Sequence, residues 1–392
     1  MPASTLGNPV PLLQELIARK SVTPTEDGVL DLIEGVLRPL GFRTHRVTFE
    51  GDGSYPVGNL LAIRGNGGKR LLFAGHTDVV PPGNEGDWTH PPFAGEIVDG
   101  RIFGRGSADM KSGVAAFIAA VEAAIADGSA DQGTIALAIT NDEEADAING
   151  TEKLMEWAEA RGERFDFAIV GEPLATATVG DSIKIGRRGS LNGQITVTGT
   201  QGHVAYPDKA NNPLPVLAAI VTALSTTSLD GGTEHFPRSN LEVTSIDVGN
   251  QTTNVIPARG VVRFNIRFND LWTPEKLADW IRERIAAVPA EGCQVEFAQV
   301  GRASNSFLSP LGGGVAELSD VIEAATGSRP QLSTAGGTSD ARFVAQYCPV
   351  VEFGLPGPSM HKSDENVLIE DVRTLTDLYA RFIAAYFASG KH

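Results

Sequence analysis

The sequence predicts an α/β protein whose mainly parallel sheet is interrupted by an inserted α+β domain of the ferredoxin-like kind. Three observations carry this reading. Apolar runs of strand length alternate with amphipathic helical segments between Leu71 and Val170. The order then becomes β-α-β-β-α-β between Lys184 and Val300. After Ser306 the first pattern returns and runs to a last helix. The boundaries so read are 1–182 and 300–392 for the two parts of the larger domain and 183–299 for the insertion. A chain of 392 residues is long for a single core, and length alone leads one to expect two or three domains.

The elements follow from periodicity. Val10, Leu13, Leu16 and Ile17 share one helical face, as do Val29, Leu32, Ile33, Val36 and Leu40. Leu71–Ala74, closed by Gly75, reads as a buried strand. Val114, Phe117, Ile118, Val121 and Ile125 form a helix ending near Gly128. Ile135–Ile139 is a strand, Leu154–Ala160 a helix and Phe167–Val170 a strand. In the insertion, Leu191, Gly193, Ile195 and Val197 alternate, as in a sheet with one wet face. Pro213 opens a helix carrying Val216, Leu217, Ile220, Val221 and Leu224. Strands follow at Leu241–Val248 and Val261–Phe268, then a helix with Leu277, Trp280, Ile281 and Ile285, and the strand Gln294–Val300. A helix at Val315–Thr326, a strand at Pro349–Phe353 and a final helix with Val372, Leu375, Leu378, Phe382 and Tyr386 complete the larger domain.

Composition excludes several function classes. Lys and Arg total 32 against 48 Asp and Glu, a net charge of −16, which argues against nucleic acid as a partner because phosphates need a basic face. Cys293 and Cys348 stand far apart and outside any C-x-x-C pattern. A disulfide framework and a thiolate metal site are both disfavoured, and a reducing, cytoplasmic location is expected. Met1–Val10 lacks a basic segment followed by an apolar run, so no secretory leader is expected. The apolar stretch Val114–Ala126 contains Glu122 and is too short for a bilayer, so no membrane association is expected.

Ligand-type residues recur where buried strands end: Gly75-His76-Thr77-Asp78, Asn141-Asp142-Glu143-Glu144, Gly171-Glu172-Pro173 and Met360-His361-Lys362. Ligands bind beyond the carboxyl ends of strands in open α/β sheets. Asp109 joins them just before a helix, in Gly104-Arg105-Gly106-Ser107-Ala108-Asp109-Met110-Lys111. Singly, each has an ordinary reading: a hydrogen-bonded histidine, a turn aspartate, a helix N-cap or a solvated glutamate. Jointly they do not, because adjacent carboxylates at the end of an apolar strand repel unless a cation or proton holds them. Two histidines and three carboxylates suit a borderline divalent metal such as zinc. Five donors exceed one tetrahedral ion with an open position, but they serve two ions about 3.5 Å apart if one carboxylate bridges. One member of the Glu143–Glu144 pair then ligates while the other is available as a base.

These segments resemble the dizinc amidohydrolase and peptidase family. The resemblance rests on His76-Thr77-Asp78-Val79-Val80-Pro81, the Gly104–Lys111 segment, Asp142-Glu143-Glu144 and Gly171-Glu172-Pro173. It is extended by Gly186-Arg187-Arg188-Gly189-Ser190, Gln201-Gly202-His203-Val204-Ala205-Tyr206-Pro207, Asn254-Val255-Ile256-Pro257 and Gly336-Gly337-Thr338-Ser339-Asp340, and it covers nearly the whole chain. It implies a dizinc catalytic domain and an insertion that serves for dimerisation and as a lid. It implies two Zn2+ per subunit, with Co2+ or Mn2+ as substitutes. His76, Asp109 and Glu172 would hold one ion; Asp109 would bridge to the other, held also by Glu144 and His361. Asp78 would orient His76 through its second ring nitrogen. Glu143 would take a proton from water and return it to the leaving amine. His203 would reach the active site of a partner subunit and polarise the substrate carbonyl, which makes a homodimer the expected state.

The implied substrate is a small molecule with several carboxylates and one ammonium. Arg187, Arg188 and Arg267 are the candidate carboxylate ligands, because a guanidinium matches a carboxylate bidentately. Ser190, Asn254, Gly337 and Thr338 supply neutral contacts in matching segments. The alternatives are another deacylase or peptidase of the same family and a metal-stabilised binding protein. Phosphate-loop and serine-hydrolase motifs fail. Gly65–Arg70 lacks the first glycine and the Ser/Thr of the former, and Gly337-Thr338-Ser339-Asp340-Ala341 has the wrong order for the latter.

Overall fold

Among the described residues, 7–389 of the computed structural model, a sheet of eight strands organises the larger unit. Met1–Leu6, part of the segment read for a leader, lie outside the described residues. The strand order is Arg43–Gly51, Ser54–Arg64, Thr134–Thr140, Arg70–His76, Phe167–Val170, Val350–Glu352, Ser182–Lys184 and Gln331–Ser333. The four central strands run parallel to one another. Antiparallel pairings flank them on either side. Thr134–Thr140 and Phe167–Val170 are buried along their whole length, as parallel strands covered on both faces are.

Helix Lys111–Ala126 packs on strand Arg70–His76 and on the last helix, Ile369–Ala388. Phe73, Phe117, Tyr379 and Phe353 join these elements in one aromatic cluster; the Phe73 and Phe117 rings stack with centroids 4.3 Å apart. Gly113 allows the closest approach. A Cβ there would lie 2.4 Å from the carbonyl oxygen of Gly171. The small residue lets the helix start seat against the strand end, so Asp109 comes beside Glu172.

Two local readings need correction. The second helix is Val29–Leu37 and excludes Leu40, because Pro39 has no N–H to continue the ladder. The hairpin Arg43–Arg64 was not expected from apolar runs, because its first strand is an edge with little buried surface. Its signal was the turn Gly51-Asp52-Gly53-Ser54, with φ of 54° at Asp52 and 80° at Gly53 and Gly51 paired to Ser54. This is the two-residue Asp-Gly hairpin connection.

The second unit comprises Gly186–Leu308 with Thr334–Thr338. Its four-stranded antiparallel sheet has the order Asn240–Asp247, Arg259–Phe268, Gly189–Thr198, Gln294–Ser304. With helices Pro213–Ser225 and Pro274–Ala286 this is the split β-α-β-β-α-β arrangement, and Leu191, Ile195, Val262, Phe264, Ile266, Leu217, Ile220, Leu277 and Ile281 form its core. The boundaries expected at 183 and 299 shift for physical reasons. Ser182–Lys184 is a strand of the larger sheet, and Gln294–Ser304 stays paired with Gly189–Thr198 beyond residue 300. The excursion of Thr334–Thr338 into the second unit had no sequence signal; there the Thr334 hydroxyl donates to the His235 carbonyl at 2.5 Å. Among the described residues, no helix is long and apolar enough to cross a membrane.

Candidate metal centre

His76 is the last residue of its strand, and its ring is almost wholly buried. Its Nδ1 lies 2.9 Å from the carbonyl oxygen of Asp78. A carbonyl only accepts, so Nδ1 carries a proton. Burial opposes a charged ring, yet the Asp109 hydrogen bond with the charges of Glu172 and Glu143 raises its pKa well above the usual range. In the metal-free fold Nε2 therefore carries a proton too, and a cation would take that proton's place. That Nε2 faces three carboxylates: Asp109 Oδ1 at 3.2 Å, Glu172 Oε1 at 3.8 Å and Glu143 Oε2 at 3.9 Å.

The role expected of Asp78 divides in two. Its backbone carbonyl, not its carboxylate, makes the near contact with His76, since Oδ1 stands 3.6 Å from Nδ1. The carboxylate instead accepts from the amides of Glu143 (3.3 Å) and Glu144 (3.1 Å) and from the Thr23 hydroxyl (2.9 Å). One buried aspartate thus fixes a histidine and the backbone of the glutamate pair.

Asp109 stands between two histidines. Its Oδ2 lies 3.3 Å from His361 Nε2, which is also 3.0 Å from Glu144 Oε1. Two groups therefore share one carboxylate: His76, Asp109 and Glu172, and Asp109, Glu144 and His361, each with ligand atoms within 4.8 Å of one another. Glu143 belongs to neither. Glu172 Oε1 is buried without a hydrogen-bond partner. An orphaned carboxylate oxygen 3.8 Å from an imidazole nitrogen, among N and O donors, fits a borderline divalent cation.

The proton balance tells the same story. Burial, reinforced by Asp340, Glu144 and Asp109, pushes the Glu143 carboxyl up to about 8. Burial with Asp109 and Glu143 raises Glu172 well above the usual range. Burial opposes charge on Asp109, yet hydrogen bonds from His361 and His76 hold it well below the usual range. His361 is pushed up to about 10 by its bonds to Asp109 and Glu144. A carboxyl raised on folding binds protons that the unfolded chain releases. The metal-free fold should therefore lose stability as pH rises from about 4.5 toward 8, the window of Glu143. Zinc binding should expel those protons. Calorimetric titration at pH 7 in buffers of different ionisation enthalpy should show net proton release; a heat independent of buffer contradicts it.

The other expected site residues lie in the second unit, in two groups. Arg187 is buried and donates to the Gly337 carbonyl at 2.8 Å, next to Thr338. Ser190 is paired across strands with Arg267, which in turn pairs with Asn240. Arg188 donates to Asn240 Oδ1 at 2.9 Å. His203 and Asn254 sit together elsewhere in that unit, with His203 opposite Val255 and the Val204 amide donating to the Asn254 carbonyl. His203 is exposed, and its Nδ1 accepts from the Ala205 amide at 3.0 Å, so the neutral ring carries its proton on Nε2.

Three residues near the centre were missed as site residues. Asp340 is buried, accepts from Thr151 at 2.6 Å and is pushed up to about 6 by burial. Glu365 and Arg105 form a buried ion pair beside Asp109. Asp340 and Arg105 lay inside quoted segments, but an ion pair across 260 residues leaves no periodic trace.

Residues 72–385 match the pattern described as peptidase family M20/M25/M40. A Methylocella silvestris protein named succinyl-diaminopimelate desuccinylase is 51% identical over 381 residues, which cover 96% of this chain and 98% of the relative. A protein of the same name from Methylorubrum extorquens is 51% identical over 383 residues, 97% of this chain and 99% of the relative. The crystal structure of aminopeptidase PepT from Bacillus cereus matches with a TM-score of 0.77 at 18% identity, over 97% of this chain and 99% of that one. At that identity the likeness concerns the fold.

Proposed function

The chain belongs to peptidase family M20/M25/M40, and from that premise we propose that it hydrolyses N-succinyl-LL-2,6-diaminopimelate to succinate and LL-2,6-diaminopimelate. The observation that carries the reading is a pair of ligand groups sharing Asp109, with a further glutamate, Glu143, outside both. A purely structural metal site has no use for that extra base. The relatives named above supply the substrate.

In this reading His76, Asp109 and Glu172 would hold one zinc ion, and Asp109, Glu144 and His361 would hold a second; Co2+ or Mn2+ could replace them. When bound, the ions supply positive charge that polarises water and the amide carbonyl. The chain's own groups do the rest. Glu143 accepts a proton from the attacking water and returns it to the departing amine, a task suited to a carboxylate whose pKa burial has raised. The Asp78 carboxylate holds the Glu143 amide, so the base is aimed from its backbone. His203, with its proton on Nε2, would reach the active site of a partner subunit and donate to the substrate carbonyl oxygen there as negative charge develops. Arg187, Ser190, Asn254, Arg267, Gly337 and Thr338 contact the substrate, the guanidinium groups taking its carboxylates.

The reading includes a homodimer in the cytoplasm. Its support is the open edge strand Asn240–Asp247, where Ile246 is 55% exposed. Turnover of succinyl-diaminopimelate by protein of measured zinc content tests the whole. Substrate consumption that scales with zinc supports it, and undiminished turnover in zinc-free protein refutes it. A second outcome concerns specificity. Arg267 projects from the sheet face opposite Phe264, Ile266 and Phe268 and is half-buried. Arg267→Ala should lower kcat/KM by about one to two decades, the loss of a charge-assisted contact of roughly 1.5–3 kcal/mol. A substrate lacking the distal carboxylate should lose far less; equal losses on both would assign Arg267 to the fold.

A further inference from the structure

We propose that the buried ion pair Arg105–Glu365 is the positioning pair of the centre. It fixes the Asp109 turn and the His361 loop at the separation that lets both face one ion. The inference rests on the two-ion reading above.

Glu365 is fully buried and uses both carboxylate oxygens. Its Oε1 accepts from the amides of Ala108 (2.8 Å) and Asp109 (3.2 Å), and its Oε2 pairs with the Arg105 guanidinium. Arg105 is 2% exposed. Its Nη1 also donates to the Lys362 carbonyl at 3.3 Å, and its Nη2 lies 3.5 Å from the carbonyls of His361 and Pro81. One charge therefore grips the backbone that carries Asp109, and its counter-charge grips the backbone that carries His361. The Trp88 ring, centred 5.2 Å from the guanidinium, adds an aromatic wall.

His361 needs such a hold. It lies in a turn with φ of 63°, a left-handed conformation unusual for a non-glycine residue, and its side chain is 46% exposed. Backbone of this kind persists where its surroundings over-determine it. The pair also lacks a simpler reason to exist. Burying two charges is costly, and an apolar pair of equal volume would often stabilise the fold as well or better. An apolar pair could not bind the amides of Ala108 and Asp109 and the carbonyls of His361 and Lys362 at once. Neither Arg105 nor Glu365 is among the proposed ligands, so the pair acts through them.

Zinc titration of the metal-free full chain, against a competing chelator, tests this with the unmutated protein, His361→Ala, Glu365→Gln and Arg105→Lys. The unmutated protein should take two ions and His361→Ala one. Glu365→Gln and Arg105→Lys should still take two, with the weaker dissociation constant raised about 10–100-fold, the usual cost of losing a group that orients a ligand. Saturating zinc should restore most of their kcat. Unchanged dissociation constants with a lowered melting temperature would make the pair structural and overturn the proposal. Should Glu365→Gln not fold, Arg105→Lys and Glu365→Asp carry the same reading, because both keep the charges while disturbing the fork geometry. An unmutated chain that takes fewer than two ions removes the two-ion reading and this proposal with it. Two ions in the unmutated chain with unaltered variants removes this proposal alone.

Discussion

Glu143→Gln should bind zinc as the unmutated protein does and lose on the order of 10²–10⁴-fold in kcat, the range for removing a general base. The substitution keeps the size and planar shape of the side chain and removes its negative charge and with it the ability to accept a proton. Zinc retention is expected because Glu143 lies outside both ligand groups; its Oε2 stands 3.9 Å from His76 Nε2, behind Asp109 at 3.2 Å. The Asp78 carboxylate holds residue 143 through its backbone amide, which the substitution leaves intact. The loop should therefore stay in place and the melting temperature should not fall. It should rise in the metal-free protein at pH 8, because a carboxylate forced to ionise among Asp109, Glu144 and Asp340 becomes neutral. Zinc content, melting temperature and kcat measured on the same sample decide the matter. If Glu143→Gln loses an ion while Glu144→Gln keeps both, the two glutamates have exchanged roles.

That pairing of roles shows what the sequence could and could not yield. His361, expected at a strand end, stands in a turn well past Val350–Glu352. His76, Glu143, Glu144 and Glu172 come together as expected because each ends or closely follows a buried strand, where an open α/β sheet places its chemistry. The central parallel strands were legible for the same reason, as continuous apolar runs between amphipathic helices. The hairpin Arg43–Arg64 was not, because an edge strand buries little and its pattern is weak. Asp78 was recognised as a residue of the centre, yet its division of labour between carbonyl and carboxylate depends on atomic positions that spacing does not encode. Glu365 was invisible for a stronger reason. Its partners Arg105, Ala108 and Asp109 are more than 250 residues away, and local pattern carries no information about a contact at that range.

Asp109→Asn should have the other large effect, and through a different loss. Both Asp109 oxygens are engaged: Oδ1 lies 3.2 Å from His76 Nε2 and Oδ2 lies 3.3 Å from His361 Nε2. An asparagine offers one oxygen and one NH2, and the NH2 has no lone pair for a cation. At most one of the two ligand groups keeps its donor, and the anionic charge they share is gone. Zinc stoichiometry should fall from two per chain to one or none. Metal assistance is worth several kcal/mol of transition-state stabilisation, so kcat/KM should fall by about three decades or more at 1.36 kcal/mol per decade. The metal-free fold should survive, because the Ala108 and Asp109 amides remain bound to Glu365 and Gly113 still seats against Gly171. The rise in melting temperature that zinc gives the unmutated protein should shrink, since a ligand stabilises only in proportion to its binding. Glu143→Gln and Asp109→Asn thus separate the two halves of the centre, one inactive with its metal and the other inactive without it. An Asp109→Asn protein that binds two ions and turns over within tenfold of the unmutated rate would show that Asp109 bridges nothing.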